Sequence, residues 1–155
     1  MSDGGGATLS LSSERVHAMP WQTFPHEADI GVRGSGATLA EAFAGAATAL
    51  TAAICDPATV APREALAVEC EAPDVELLLV DWLNALIFAM ATRHLLFSRF
   101  EVAIDGSRLR ATAWGEALEV ARHQPAAEAK GVSFCELKVV RQADGQWLAQ
   151  AVVDV

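Results

Sequence analysis

The sequence predicts an α+β domain, two helices packed on a mainly antiparallel β-sheet in a two-layer single domain. Two stretches repeat apolar residues at three- and four-residue spacing, as helices with one buried face do. Seven shorter stretches read as strands, and the last four of these are joined in pairs through Asp105-Gly106 and Asp144-Gly145. The regular strand–helix alternation of a nucleotide-binding parallel sheet is absent.

The elements follow in order. Residues 1–19 are rich in Gly and Ser and have no apolar period, so they are expected to form a disordered extension before a domain over 20–155. Trp21 to Phe24 is a short strand halted by Pro25, which has no N–H to give a ladder. Asp29 to Arg33 alternates polar and apolar residues as a second strand, and Gly31, Gly34 and Gly36 then permit a tight turn. Thr38-Leu39-Ala40-Glu41 is a capping box, with the Thr hydroxyl and Glu carboxylate bonding each other's backbone N–H. The helix it opens carries Leu39, Ala42, Phe43, Ala46, Ala47 and Leu50 on one stripe and ends at Asp56-Pro57. Ala65 to Glu71 is a half-buried strand. Pro73-Asp74 starts a second helix reaching about Thr92, with a broad apolar face from Leu77 to Met90. Two hairpins complete the chain, Leu95–Ile104 with Leu109–Trp114 and Val132–Val140 with Trp147–Val153.

Composition narrows the function. With 52% hydrophobic and 20% charged residues, most of the 155-residue chain is expected to fold rather than remain disordered. A net charge of -9 opposes unaided binding to a phosphate backbone and suits a basic protein partner or a cation. Arg108, Arg110, Arg122 and Lys130 are the candidates for a local basic patch, since Arg108 and Arg110 share one strand face. Cys55, Cys70 and Cys135 are odd in number and lack CxxC spacing, which reads as buried or half-buried free thiols in a reducing cytoplasm. No secretory signal is visible, and Leu77–Met90, interrupted by Asp81 and Asn84, is too short to span a bilayer. The expectation is therefore a cytoplasmic protein with neither membrane nor DNA as partner.

Three places can carry chemistry. His26-Glu27-Ala28-Asp29 sets a run of ionisable groups before an apolar strand, and a solvated loop is its plain alternative. Alternation in an extended chain puts Asp29 with Glu27 and not with His26, though a bulge after Pro25 could bring His26 and Asp29 together. At the other end, Asp154 and the α-carboxylate of Val155 give hard oxygen donors within one residue of each other. With Asp29 they would make an oxygen-rich pocket suited to Ca²⁺ or Mg²⁺ rather than zinc. Lys130, close in sequence to Arg122 and His123, is either an exposed strand-end lysine or a contact for a phosphate or carboxylate. His17 and His94 read as surface residues. The Gly-x-Ser-x-Gly elbow, the phosphate-binding Gly-Lys-Ser/Thr loop and the His-Glu-x-x-His helix do not occur.

Six segments, in order from about Trp21 to Val155, together resemble the archease family. They are His26-Glu27-Ala28-Asp29-Ile30-Gly31, Thr38-Leu39-Ala40-Glu41-Ala42-Phe43, Leu77 through Asn84, Leu96-Phe97-Ser98-Arg99-Phe100, Glu128 through Phe134, and Val153-Asp154-Val155. The resemblance implies a protein cofactor of an RtcB-type RNA ligase, an activator rather than an enzyme, that promotes guanylylation of the ligase and its multiple turnover. RNA would then be met only through the ligase. It also implies a divalent metal on Asp29, Asp154 and Val155, with calcium the associated ion and magnesium or manganese as alternatives. Lys130 matches a functionally important family lysine, and His26 lies in the same motif as Asp29, so both are expected to contact the partner's active site. Pro25, Glu27, Phe134 and Cys135 depart from the family pattern. The competing readings are a scaffold domain whose site has decayed, and a metal-dependent hydrolase using His26, Asp29 and His123.

Overall fold

A computed structural model describes residues 20–155, and the expected amino-terminal extension, with His17, lies outside the described residues. The strands are β1 (Trp21–His26), β2 (Asp29–Gly36), β3 (Glu64–Glu71), β4 (Leu95–Asp105), β5 (Arg108–Ala117), β6 (Gly131–Arg141) and β7 (Trp147–Asp154). The helices are α1 (Leu39–Ile54), α2 (Val75–Arg93) and a single turn, α3 (Val120–His123). The α+β class and the antiparallel pairing hold, while the strands divide between two sheets, ordered β1-β2-β7-β6 and β3-β5-β4. Insertion of β7 between β2 and β6 joins the two ends of the described chain, a long-range choice that no local pattern encodes.

Helix α1 lies on β2 and also reaches β4 of the other sheet. Its small residues make this possible, since Ala42, Ala46, Ala47 and Ala49 are wholly buried beside Phe43 and Leu50. Gly34 is needed on the strand side, because a Cβ there would lie 2.0 Å from the Ala42 carbonyl oxygen and 2.2 Å from the Ala46 nitrogen. It therefore belongs to β2, which continues past Arg33 instead of turning. At the helix start, Thr38 Oγ1 accepts from the Glu41 N–H at 3.1 Å, as the capping box requires. The Glu41 carboxylate accepts from the N–H of Ala37, one residue earlier than expected, at 2.9 Å. Thr51 Oγ1 donates to the Phe97 carbonyl at 2.6 Å and pins α1 to the second sheet.

Asp74 caps α2 by accepting from the Leu77 N–H at 2.9 Å. Trp82, wholly buried, donates from Nε1 to the Phe43 carbonyl at 3.0 Å and meets Phe100 edge-on with ring centroids 6.0 Å apart. Its burial is worth about 1.5–3 kcal/mol or more by the area rule, and the indole N–H keeps a partner. Asn84 Oδ1 accepts from the Val132 N–H at 3.1 Å, tying α2 to β6. At 19 residues α2 is long and apolar enough to cross a membrane, so length does not exclude a span as expected. Leu78, Leu79, Trp82, Leu83, Leu86 and Ile87 instead bury its apolar face inside the domain.

Both late hairpins form. β4 and β5 close through Gly106-Ser107, with Gly106 at φ 62°, whereas β6 and β7 use a five-residue loop in which Gly145 has φ 86°. Two irregularities escape alternation. Ser98 bulges from β4 between Phe97 and Arg99. In β6, four residues (134–137) separate Ser133, opposite Val152, from Lys138, opposite Gln150. That second bulge leaves Cys135 exposed, while Cys55 is buried and Cys70 half-buried, all three as free thiols. Burial pushes the Cys55 and Cys70 thiols above their ordinary pKa.

Candidate functional site

The four-stranded sheet brings the separated carboxylates together at one end. β1 continues through Pro25, which tolerates an edge strand because no partner needs its missing N–H, and pairs to His26. A two-residue turn, Glu27-Ala28, follows with Glu27 at φ 56°. This turn sets His26 directly opposite Asp29. Opposed residues in an antiparallel pair project to the same face, so His26 and Asp29 share a face, contrary to the parity expected for an unbroken strand.

The row continues across the sheet. Ile30 pairs with Val153, which sets Asp29 beside Asp154 one step further on, and Asp154 pairs with Gly131 of β6. His26, Asp29, Asp154 and Gly131 thus form one transverse line on the face turned away from α1, since Val32 and Gly34 take the α1 side. Val155 folds against it, its N–H pointing to Asp29 Oδ1 at 3.4 Å. Lys130 is exposed, and its backbone N–H donates to the Asp154 carbonyl at 2.8 Å. His26 and Asp29 are half-buried, and Asp154 is exposed.

The next rows hold this end in shape. Phe24 lies over Gly31, where a Cβ would stand 2.1 Å from the ring. Arg33 stacks on Phe24 with its guanidinium carbon 4.6 Å from the centroid and donates from Nε to Gln150 Oε1 at 2.8 Å. Gln150 in turn donates from Nε2 to the Glu136 carbonyl at 3.0 Å.

Chemically, the line offers two side-chain carboxylates and main-chain carbonyls, all hard oxygen donors that fit calcium or magnesium better than zinc. Among the described residues no three His, Cys, Asp or Glu side chains converge in metal-binding fashion. A cation here would therefore need the main chain to complete its ligands.

The other candidates resolve differently. Arg122 and His123 do not join Lys130. They converge on Glu116, a buried carboxylate at the end of β5, with Arg122 Nη1 at 2.5 Å and His123 Nε2 at 2.9 Å. The Ala61 N–H and Arg63 Nε complete the cluster at 2.8 and 3.2 Å. His123 Nδ1 accepts from the Glu119 N–H at 2.9 Å, so Nε2 carries the proton that bonds Glu116. With both ring nitrogens engaged, His123 has no free nitrogen to act as a base, and the hydrolase trio is not assembled. Arg108 and Arg110 do share one face, but Glu71 and Asp105 flank Arg108 and Glu69 lies opposite Arg110, so no free basic patch forms there. His94 is exposed, as expected of a surface residue. Glu116 escaped sequence reasoning because its position in β5 has the parity of the outward-facing Arg108, Arg110 and Trp114. The α3 turn and the stretch from Ala61 to Arg63 cover it.

Comparison with known proteins gives one consistent result. A profile of the archease protein family (MTH1598/TM1083) matches residues 21–155. The protein archease of Thermococcus gammatolerans is 39% identical over 139 residues, covering 87% of this chain and 98% of that protein. The protein archease of Pyrococcus abyssi is 38% identical over the same extent. The solution structure of protein 1598 from Methanobacterium thermoautotrophicum aligns at a TM-score of 0.77 with 32% identity, over 88% of this chain and 99% of that one. The crystal structure of an archease, possible chaperone, from Thermotoga maritima shares the fold at a TM-score of 0.59 and 18% identity, over 86% of this chain and 96% of that one. The chain belongs to the archease protein family.

Proposed function

We propose that this protein activates an RtcB-type RNA ligase in the cytoplasm, promoting its GTP-dependent guanylylation and multiple turnover without catalysing ligation itself. The observation that carries the reading is the transverse line of His26, Asp29 and Asp154, with Lys130 fastened to the Asp154 carbonyl. Residues far apart in sequence meet at one exposed end, and they are the residues that the family resemblance singles out. In this reading Asp29, Asp154 and Val155 hold a divalent cation, calcium foremost, with magnesium or manganese as alternatives. A cation bound there supplies positive charge to which phosphate oxygens of a nucleotide can be drawn. The chain's own side chains do the positioning. Lys130 offers an exposed ammonium to a phosphate or carboxylate, and His26 borders the carboxylates on the same face. RNA is met only through the ligase, since the charge of -9 repels a phosphate backbone.

The test measures guanylylation and multiple-turnover ligation by the cognate ligase with and without this protein. Stimulation is expected from the unchanged chain. Asp29→Ala and Asp154→Ala are expected to lose at least tenfold of it while remaining folded. Full stimulation by both variants would remove the metal-site role, and none by the unchanged chain would favour a scaffold domain.

A further inference from the structure

The largest irregularity of the fold stands beside the acidic line and outside it. Residues 134–137 of β6 oppose Ala151 alone, and the loop they form is held rather than loose. Gln150, only 4% exposed, donates to the Glu136 carbonyl at 3.0 Å, and Ser133 Oγ accepts from the Cys135 N–H at 2.9 Å. Glu136 is kept at φ 54°, a left-handed conformation that a side chain bearing Cβ seldom adopts without such support. A bulge on an edge strand deters chance pairing with another chain, but charged side chains are enough for that. Here the bulge lifts Phe134 into water, 66% exposed, three residues along the strand from Gly131, the partner of Asp154. A large aromatic side chain held out among polar groups has the composition of an interface anchor.

The surrounding charge selects what it meets. Glu27, Glu136 and Asp154 are exposed and Asp29 is half-exposed, against two exposed lysines, Lys130 before β6 and Lys138 just past the bulge. We propose that Phe134 and these carboxylates form the docking end of the molecule for a protein face with an apolar socket rimmed by Arg and Lys. The inference rests on the ligase reading. An enzyme that takes RNA and a nucleotide triphosphate needs a basic mouth, and an acidic end with a projecting ring complements one. Nucleic acid itself is disfavoured as the occupant, because these carboxylates repel phosphate.

The test titrates the purified cognate ligase with the full chain by calorimetry at low and moderate salt. It compares the unchanged protein, Phe134→Ala, Phe134→Leu and Phe88→Ala, with circular dichroism verifying that each is folded. Phe88 is the control, a ring 69% exposed on α2. Phe134→Ala is expected to weaken binding by roughly tenfold to a hundredfold, as loss of an interface anchor does. Phe134→Leu should lose less, Phe88→Ala should bind unchanged, and affinity should fall with salt. Equal binding by Phe134→Ala, an equal loss in Phe88→Ala, or a Phe134-dependent affinity for RNA alone overturns the docking inference and leaves the ligase reading standing. Failure of the unchanged chain to bind the ligase overturns both.

Discussion

At the scale of single residues, the fold depends most visibly on the ionised form of Glu116. Arg122 beside it, with the Ala61 N–H and His123, holds its carboxyl well below the usual carboxylate range. The same carboxylate raises Arg122 above its ordinary value. In the unfolded chain Glu116 titrates near its ordinary value of 4.5, so below that pH the unfolded state binds a proton that the native state does not. Stability therefore rises with pH across this window, is fully present above it, and is lost as the pH falls toward the native value. Glu116→Gln should lower stability at pH 7 and flatten the decline between about pH 5 and 3, as measured by urea unfolding at each pH. Equal slopes for variant and unchanged chain would show that other carboxylates set the acid limb. Asp29 and Asp154 were legible in the sequence because a carboxylate at the end of an apolar strand stands out against its neighbours. Glu116 was not, since its meaning comes from the α3 turn folded over it. The face that His26 takes was hidden for a related reason. Alternation fixes parity within one strand, and the two-residue turn at Glu27-Ala28 resets it.

At the scale of elements, local signals announced what local forces build. The caps at Thr38 and Asp74, the apolar stripes of α1 and α2 and the Asp-Gly hairpins all follow from contacts within a few residues of each other. What stayed hidden depends on partners far along the chain, namely the division into two sheets and the four-residue bulge in β6. The glycines of β2 show the difference. They read as turn formers, yet Gly31 and Gly34 lie within the strand because a ring and a helix approach it closely. Gly34→Ala should drive α1 away from β2, at a cost of about 1–3 kcal/mol, as overpacked cores show. The urea midpoint should fall with the slope unchanged, since the helix is displaced and not unfolded. A variant as stable as the unchanged chain would mean that α1 can shift freely on this sheet.

At the scale of the whole molecule, the acidic line closes one end of a sheet whose four strands come from both ends of the described chain. β1 and β2 begin it, while β6 and β7 finish it, so whatever joins Asp29 to Asp154 joins the first pair to the second. Without a cation, like charges face each other across β2 and β7, and that arrangement is mildly destabilising. The metal reading therefore makes two predictions of opposite sign for one substitution. In chelator, Asp29→Ala should leave the melting temperature equal or slightly raised, because the repulsion is gone. With calcium at about 100 times its dissociation constant, the unchanged chain should gain about 2.7 kcal/mol, or roughly 5–11 °C for a domain of this size, and Asp29→Ala should gain little. Glu69→Ala, on the outer face of the other sheet, should respond to calcium like the unchanged chain and so separate site binding from general screening of negative charge. Calorimetric melting in the two conditions decides the matter without reference to the ligase. If calcium raised all three proteins alike, the line would be an acidic docking surface and not a metal site.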